Sequence, residues 1–332
     1  MDKNQKEMKI AFFGGLDEEK SNYYQQTLGK DHEIAIFNYC LGEQSEETYD
    51  FEIVSIFVAC KASRAVLERF PNLKMIAVRS TGFDNVDTEY CKEKGIIVST
   101  VPAYGSHTVA EYAFALLLNI TRKLCESTER TKDGNFEHEG LRGFDLNGKT
   151  IGIIGTGKIG ANAAKIARGF EMNILAFDVY KNEELAESVG FKYVELDELL
   201  QNSDIISLHA PATPETHHII NKESVFRIKK DAVFINTARG ALVETEALLI
   251  AMKQNHLMAI GIDVLEEEKS LQGIEPETET TKYAKELIEL PNVHYSAHVA
   301  FYTKEAEHNI METTVQNIQK FLENTPQNNI IQ

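Results

Sequence analysis

Four places in the 332-residue sequence hold residue types able to do chemistry: a glycine loop at 155–160, Arg239, Glu268 and His298. Gly155, Gly157 and Gly160 stand at G-x-G-x-x-G spacing, after the apolar run 151–154 and before an alanine-rich, helix-forming segment. In a dinucleotide site the first glycine permits the tight strand-to-helix turn. The second lets the backbone reach a pyrophosphate, and the third lets helix and strand approach closely. The helix N-terminus then offers N–H groups and a partial positive charge to the phosphates. A second apolar run, 174–177, ends at Asp178, whose carboxylate can accept from ribose hydroxyls. A lone G-x-G-x-x-G is a weak signal. One framed by strand and helix, with an acid about 20 residues on, is much stronger. The competing reading is a glycine-rich turn in another α/β domain.

Arg239 follows an apolar run and precedes Gly240, where a guanidinium could hold a carboxylate through two parallel hydrogen bonds. His298 closes another apolar run and could exchange a proton near neutral pH. Glu268 could orient that imidazole and stabilise its protonated form. Each alone reads as bland: a solvated arginine, an acidic turn over residues 266–268, a structural histidine.

The elements that must position these groups alternate. Residues 9–13, 33–37, 51–58, 73–78 and 95–99 read as strands, with helices over 17–28 and 63–70. Ser63 is the candidate cap of the second helix and Pro71 stops it. Pro102 breaks this first unit, and 107–123 reads as one long helix. Residues 125–147 read as an irregular arm and 273–281 as an acidic surface insertion. After Asp178 the strands 204–208, 232–235, 258–262 and 293–296 alternate with helices at 196–200 and 244–254, and 303–322 reads as a last helix. Strand–helix alternation means parallel sheets with helices on their faces. In such sheets ligands bind at the carboxyl ends of the strands.

Composition narrows the function classes. A net charge of -17 argues against nucleic acid and anionic membranes, because phosphate binding needs clustered Lys and Arg. No run approaches the ~18 apolar residues of a membrane helix. Residues 2–7 are charged, with no apolar signal-peptide core. Cys40, Cys60, Cys91 and Cys125 are scattered without C-x-x-C, which fits four free thiols in a reducing cytosol. His217 and His218 do not suggest a metal site, since neighbours on an extended chain point apart and no Cys or Asp cluster joins them. We expect no metal.

Residues 148–160 (GKTIGIIGTGKIG), 234–240 (FINTARG), 261–268 (GIDVLEEE) and 291–298 (PNVHYSAH) together carry a resemblance. Over nearly its whole length the chain resembles the D-isomer-specific 2-hydroxyacid dehydrogenases. Residues 298–303 and the long insertion before Pro291 look most like the D-lactate dehydrogenase branch. Ser296-Ala297 departs from the Thr-Pro that many members carry there, which should alter the local backbone.

The resemblance implies an α/β fold of two Rossmann-like or flavodoxin-like domains with parallel sheets. A dinucleotide-binding domain, residues 104–298, is inserted into a discontinuous substrate domain, residues 1–103 and 299–332. It implies NAD as cofactor, with contacts at Gly155, Gly157, Lys158, Ile159, Gly160, Asp178, Ala210, Pro211, Thr216, Thr237, Ala238 and Asp263. It makes Arg239 the carboxylate binder, His298 the acid/base and Glu268 its partner. Backbone N–H groups of Ser80, Thr81 and Gly82 would hold the other side of the carboxylate, and Tyr104 and Tyr302 would line the pocket. The implied reaction is reduction of a small 2-oxo acid, pyruvate to D-lactate first. Bulkier acids such as phenylpyruvate or 2-oxoisocaproate are the alternative, and a dinucleotide-sensing corepressor-like role is the competing class. A cytoplasmic homodimer is expected. Asp178, with no arginine in 179–181, favours NADH over NADPH. Among Glu266, Glu267 and Glu268, alternation excludes only Glu267, and only on an extended segment. The family's glutamate lies five positions after the aspartate, and 263 + 5 gives 268.

Overall fold

The computed structural model describes residues 7–42 and 48–331, so the charged stretch 2–6 lies outside the described residues. The chain forms two compact units, Met1–Gly105 with Thr303–Gln332, and Ser106–Tyr302.

In the first unit β1 (Lys9–Phe13), α1 (Glu18–Leu28), β2 (Glu33–Phe37), β3 (Ile53–Ile56), α2 (Arg64–Leu67), β4 (Met75–Val78), α3 (Thr88–Lys94) and β5 (Ile97–Ser99) follow in order. The sheet order is β2-β1-β3-β4-β5, with every pairing parallel. Crossover helices cover both faces of a parallel sheet, so its strands are apolar on both sides. In β1, Ile10 and Phe12 join one core layer while Ala11 and Phe13 join the other. Asp17 caps α1 by accepting from the Lys20 N–H at 2.9 Å. The helix expected over 63–70 is a single turn, Arg64–Leu67, and Ser63 makes no side-chain cap. Its continuation tightens into i→i+3 bonds at Arg69 and Phe70, as suits a chain approaching Pro71.

The second unit opens with α4 (Ser106–Arg122) and α5 (Leu124–Lys132). Then come β6 (Thr150–Ile154), α6 (Lys158–Gly169), β7 (Asn173–Phe177), α7 (Glu183–Val189), β8 (Lys192–Tyr193), α8 (Leu196–Asn202), β9 (Ile205–Leu208), β10 (Val233–Asn236), α9 (Thr245–Lys253), β11 (Ala259–Ile262), α10 (Glu268–Leu271), α11 (Glu279–Ile288) and β12 (Val293–Tyr295). The parallel sheet runs β12-β11-β10-β9-β6-β7-β8. Counted from β6, this is the 3-2-1-4-5-6 order of a dinucleotide-binding sheet with one added edge strand. The order reverses between β6 and β9, and that is where the crevice of such a sheet opens. α4 packs its Ala110, Ala113, Phe114 and Leu117 face into the same core as Ala163, Ala164 and Ala167 of α6.

Two expectations are corrected here. Residues 124–132, expected to be irregular, form α5, which buries no side chain. Arg130–Glu126 and Lys132–Glu129 pairs support it, and a helix held by charge pairs shows no apolar periodicity to read. The insertion 273–281 is exposed from Gly273 to Glu279, but its end is the start of α11. Thr278 and Thr281 make a reciprocal capping box there, and Ala284 and Leu287 anchor the helix.

The chain then returns to the first unit as α12 (Lys304–Leu322). Its Met311, Val315 and Ile318 fill the layer of Ile10, Phe12, Tyr24 and Met75. Buried Asn317 donates to the Thr100 carbonyl at 2.8 Å, and Asn329 bridges Ser99 antiparallel.

Candidate active site

The glycine loop sits where β6 meets α6. Gly155 has φ +92, and a Cβ on it would stand 2.5 Å from the Ala210 nitrogen. It is therefore a glycine both for its left-handed turn and for contact with the chain leaving β9. A Cβ on Gly160 would stand 1.9 Å from the Gly155 carbonyl oxygen, the close helix–strand approach expected of the third glycine. Gly157 differs: a Cβ there would meet no atom within 4 Å. Its missing side chain leaves space above the α6 N-terminus, which has no side-chain cap and no acid in its first turn. A phosphate group fits such a cradle.

Asp178, just past β7, accepts from the Thr156 N–H at 2.6 Å and the Thr156 hydroxyl at 3.0 Å. Its other oxygen accepts from the Tyr180 N–H at 2.9 Å. The acid thus ties the glycine loop to the next strand end. Thr156 and Tyr193, 2.8 Å apart through their hydroxyls, complete this support.

Among the described residues, two buried side-chain atoms lack any hydrogen-bond partner, the Thr237 hydroxyl and His209 Nδ1. An unsatisfied buried group calls for a missing ligand or water, and both lie just past the carboxyl ends of β9 and β10. Thr237 was among the expected cofactor contacts. His209 was not, although its place at a strand end was a signal. Burial pushes its pKa down to about 4, so the ring is neutral. Ala210 and Ala238 are buried, and Pro211 and Lys158 are exposed. Ile159 is partly buried against the α4–α6 core. The Thr216 hydroxyl is occupied within its own loop, donating to the Pro211 carbonyl at 2.7 Å.

The acid/base cluster comes from the ends of β10, β11 and β12. His298 Nδ1 and Glu268 Oε2 are 2.9 Å apart. Burial works against charging the ring, but the Glu268 hydrogen bond and charge prevail, and the His298 pKa is raised above its usual value, with Arg239 opposing. Arg239 donates from Nη1 to the Ala238 carbonyl at 2.7 Å, and Asn236 holds this turn by accepting from Ala238 and donating to the Arg239 carbonyl. Asp263 is 1 % exposed. One oxygen accepts from the Ser296 hydroxyl at 2.7 Å and the Val299 N–H at 2.9 Å; the other accepts from the Ala300 N–H at 2.9 Å. Here Asp263 positions the loop that carries His298, and Ser296 shares that task. Ala297 and His298 have φ +45 and +59. Proline is locked near φ −65°, so this backbone could not carry the proline of the family pattern.

The three consecutive glutamates separate. Glu267 has φ +55 and α10 begins at Glu268, so the segment is not extended and alternation does not apply. Glu266 meets His218 Nε2 at 2.7 Å and accepts from the Thr245 N–H at 2.7 Å. Glu267 accepts from the Thr278 hydroxyl and from the Thr281 hydroxyl. Glu268 alone of the three faces His298. The expectation that His217 and His218 point apart is also corrected: His218 has φ +50 and the rings stack at 3.9 Å. His218 is turned toward Glu266.

In the first unit the Ser80 hydroxyl donates to the Gly82 carbonyl at 2.6 Å and the Thr81 hydroxyl to the Val101 carbonyl at 2.8 Å. With the hydroxyls occupied, this loop can offer an anion only backbone N–H groups. The Tyr104 carbonyl accepts from Asn309 at 3.0 Å. At the end of the second unit Tyr302 is 62 % exposed beside Phe301.

Residues 114–300 match the family model described as D-isomer specific 2-hydroxyacid dehydrogenase, NAD binding domain. The D-lactate dehydrogenase of Escherichia coli is 38% identical over 316 residues, 94% of this chain and 96% of that protein. A 2-hydroxyacid dehydrogenase homolog of Haemophilus influenzae is 39% identical over 318 residues, 94% and 96% of the two chains. The crystal structure of D-lactate dehydrogenase from Aquifex aeolicus complexed with NAD and lactic acid superposes with a TM-score of 0.88 at 37% identity, covering 95% of this chain and 96% of the other.

Proposed function

The chain belongs to the D-isomer-specific 2-hydroxyacid dehydrogenases, and from that premise we infer how its residues reduce a small 2-oxo acid to the D-2-hydroxy acid. It is an NAD-dependent enzyme closely related to D-lactate dehydrogenases. The observation that carries the chemistry is the Glu268–His298 pair at 2.9 Å.

When bound, NADH supplies the hydride that reaches the substrate's carbonyl carbon. Gly155, Gly157 and Gly160 with the first turn of α6 (Lys158, Ile159) would hold its pyrophosphate, and Asp178 would accept from its ribose. Ala210, Pro211, Thr216, Thr237 and Ala238 would supply further contacts to the cofactor. Asp263 keeps the His298 loop in place. Arg239 holds the substrate carboxylate through paired, charge-assisted hydrogen bonds. Glu268 occupies His298 Nδ1, which leaves the Nε2 proton for the substrate oxygen. Proton donation from Nε2 neutralises the charge that develops on that oxygen. Glu268 is a positioning residue that also keeps the imidazolium populated to higher pH. Tyr302 borders the substrate. The rings of Phe301 and Tyr302 support pyruvate and D-lactate as the pair in use.

The units Met1–Gly105 with Thr303–Gln332, and Ser106–Tyr302, are then substrate and dinucleotide domains. We propose a homodimer, as the family resemblance implies, with the exposed Leu124 (62 %) and Phe136 (82 %) as the positions at which to test it. Light scattering on the protein and on Phe136→Asp tests that assignment. Four free cysteines support a reducing cytoplasm. The deciding experiment is NADH oxidation with a panel of 2-oxo acids. We expect turnover with pyruvate to exceed that with phenylpyruvate and 2-oxoisocaproate, and D-lactate but not L-lactate to be oxidised. Preference for the bulky acids would overturn the substrate, and absence of turnover with every acid would overturn the reaction.

A further inference from the structure

Two cysteines separated by 20 positions meet in the first unit, with their sulfurs 2.7 Å apart. Cys40 follows β2 and Cys60 follows β3, the two strands that flank β1. The pair therefore lies over the carboxyl end of β1. Gly14, with φ +66, makes the room: a Cβ there would stand 2.8 Å from Cys60 Sγ and 2.9 Å from Cys40 Sγ. Cys60 is fully buried and Cys40 half-buried, so Cys40 is the more accessible of the two.

A buried cation adjoins them. Arg79, 2 % exposed, donates to the Phe13 carbonyl at 2.8 Å and to the Gly14 carbonyl. The Cys60 thiol reaches the same Phe13 carbonyl at 3.6 Å. Among the described residues no carboxylate forms an ion pair with Arg79, and the shared Phe13 carbonyl sets it beside Cys60. The Cys40 hydrogen bond, against the penalty of burial and with backbone hydrogen bonds at Phe57 and Leu41 and the Arg79 charge, brings the Cys60 thiol down to about 7. The remaining cysteines differ. Burial pushes Cys91 up to about 12, and Cys125 is exposed with no cysteine partner.

We propose that Cys40 and Cys60 form a redox-active dithiol that closes to an intramolecular disulfide by exchange with a low-molecular-weight disulfide. The accessible Cys40, as thiolate, attacks one sulfur of the small disulfide; that S–S bond breaks and one small thiolate leaves. Cys60, as thiolate, then attacks the Cys40 sulfur of the mixed disulfide and expels the second small thiolate. Two protein thiols are oxidised, one small disulfide is reduced to two thiols, and the two protein protons end on the released thiolates. A small further approach brings the sulfurs to bonding distance, about 2.0 Å. The bond would join the segments after β2 and β3 across the end of β1, beside the arginine that directly precedes Ser80.

The proposal is independent of the hydride-transfer reading, and its test reads thiols rather than turnover. The full-length Cys125→Ser chain, which keeps three thiols, is equilibrated with oxidised glutathione. It is then alkylated in denaturant and weighed intact, and its peptides are mapped. We expect two of the three thiols to be lost together, so that the oxidised chain takes up one alkyl group where the reduced chain takes up three, with a mass two hydrogens lower apart from those groups, no retained glutathione, a linked Cys40–Cys60 peptide, and full reversal by dithiothreitol. Adding Cys60→Ser should instead trap one glutathione on Cys40. Three thiols still free after oxidation, or a stable glutathione adduct on the Cys125→Ser chain, would overturn the proposal. The peptide map needs no core substitution, so it stands even if Cys60→Ser fails to fold.

Discussion

The chain leaves β4 and β10 in much the same way, with an arginine and a glycine just past a buried parallel strand, yet the two arginines do different work. Arg79 is 2 % exposed and its guanidinium is turned inward, onto the carbonyls of Phe13 and Gly14 and the hydroxyl of Ser55. Arg239 is half-buried, and one nitrogen is tied to the neighbouring Ala238 carbonyl. Around Arg79 there are thiols and backbone; around Arg239 there is a histidine–glutamate pair. A parallel sheet delivers polar residues to its carboxyl ends. Whether such a residue braces the fold or serves a substrate depends on what surrounds it.

Substitutions at the two strand ends should therefore separate activity from stability. The largest effect is expected beside Arg239: His298→Gln should lower kcat by about 10²–10⁴-fold, the usual range for a general acid, with an unchanged melting temperature. Arg239→Met should lower kcat/KM for pyruvate by about 10²–10³-fold through loss of charge-assisted hydrogen bonds, again with little change in melting. Arg79→Met should do the reverse. Taking the guanidinium away from the Phe13 and Gly14 carbonyls should destabilise by about 2–4 kcal/mol, read by urea denaturation, while NADH binding measured by fluorescence is retained. If Arg79→Met melted normally and Arg239→Met did not, the contrast would be reversed.

Smaller effects sharpen the acid/base side. The His298 pKa is raised by Glu268, so the proton-donating form survives to higher pH. Removing the carboxylate lets the pKa fall. Glu268→Gln should thus move the alkaline limb of pyruvate reduction toward lower pH and reduce turnover. Glu267→Gln should leave the limb in place, and so should Glu266→Gln, whose effect should be a loss of about 1 kcal/mol at the start of α9. A limb shift in Glu266→Gln without one in Glu268→Gln would reassign the partner. The smallest effect is expected at Asp178: Asp178→Ala should narrow the preference for NADH over NADPH by about tenfold, roughly one charge-assisted contact. An unchanged ratio in steady-state kinetics would leave Asp178 only its role of holding Thr156 and Tyr180.

Much of this molecule was legible along the chain. Short apolar runs of β-branched residues separated by helical segments dictate buried parallel strands, because a strand covered on both faces needs no polar alternation. The glycine spacing and the acid at 178 specify a dinucleotide loop because each glycine answers a steric demand within a single β–α–β segment. The register of 263 + 5 reached Glu268 without coordinates. The helix α5, held by charge pairs, buries no side chain and left no such trace.

What the linear order could not hold was decided by chain crossings. Periodicity left Glu266 and Glu268 equivalent; the left-handed turn at Glu267 sent one to His218 and Thr245 and the other to His298. Asp263 became the brace of the His298 loop only because β11 and β12 lie side by side. The last helix is apolar on one face by sequence, but its place against α1 and β4 follows from sheet order. Cys40 and Cys60 look scattered until β1 is inserted between β2 and β3. Their meeting over Gly14 is a property of topology, since contacts between distant residues are specified by which strands pair and not by any spacing along the chain.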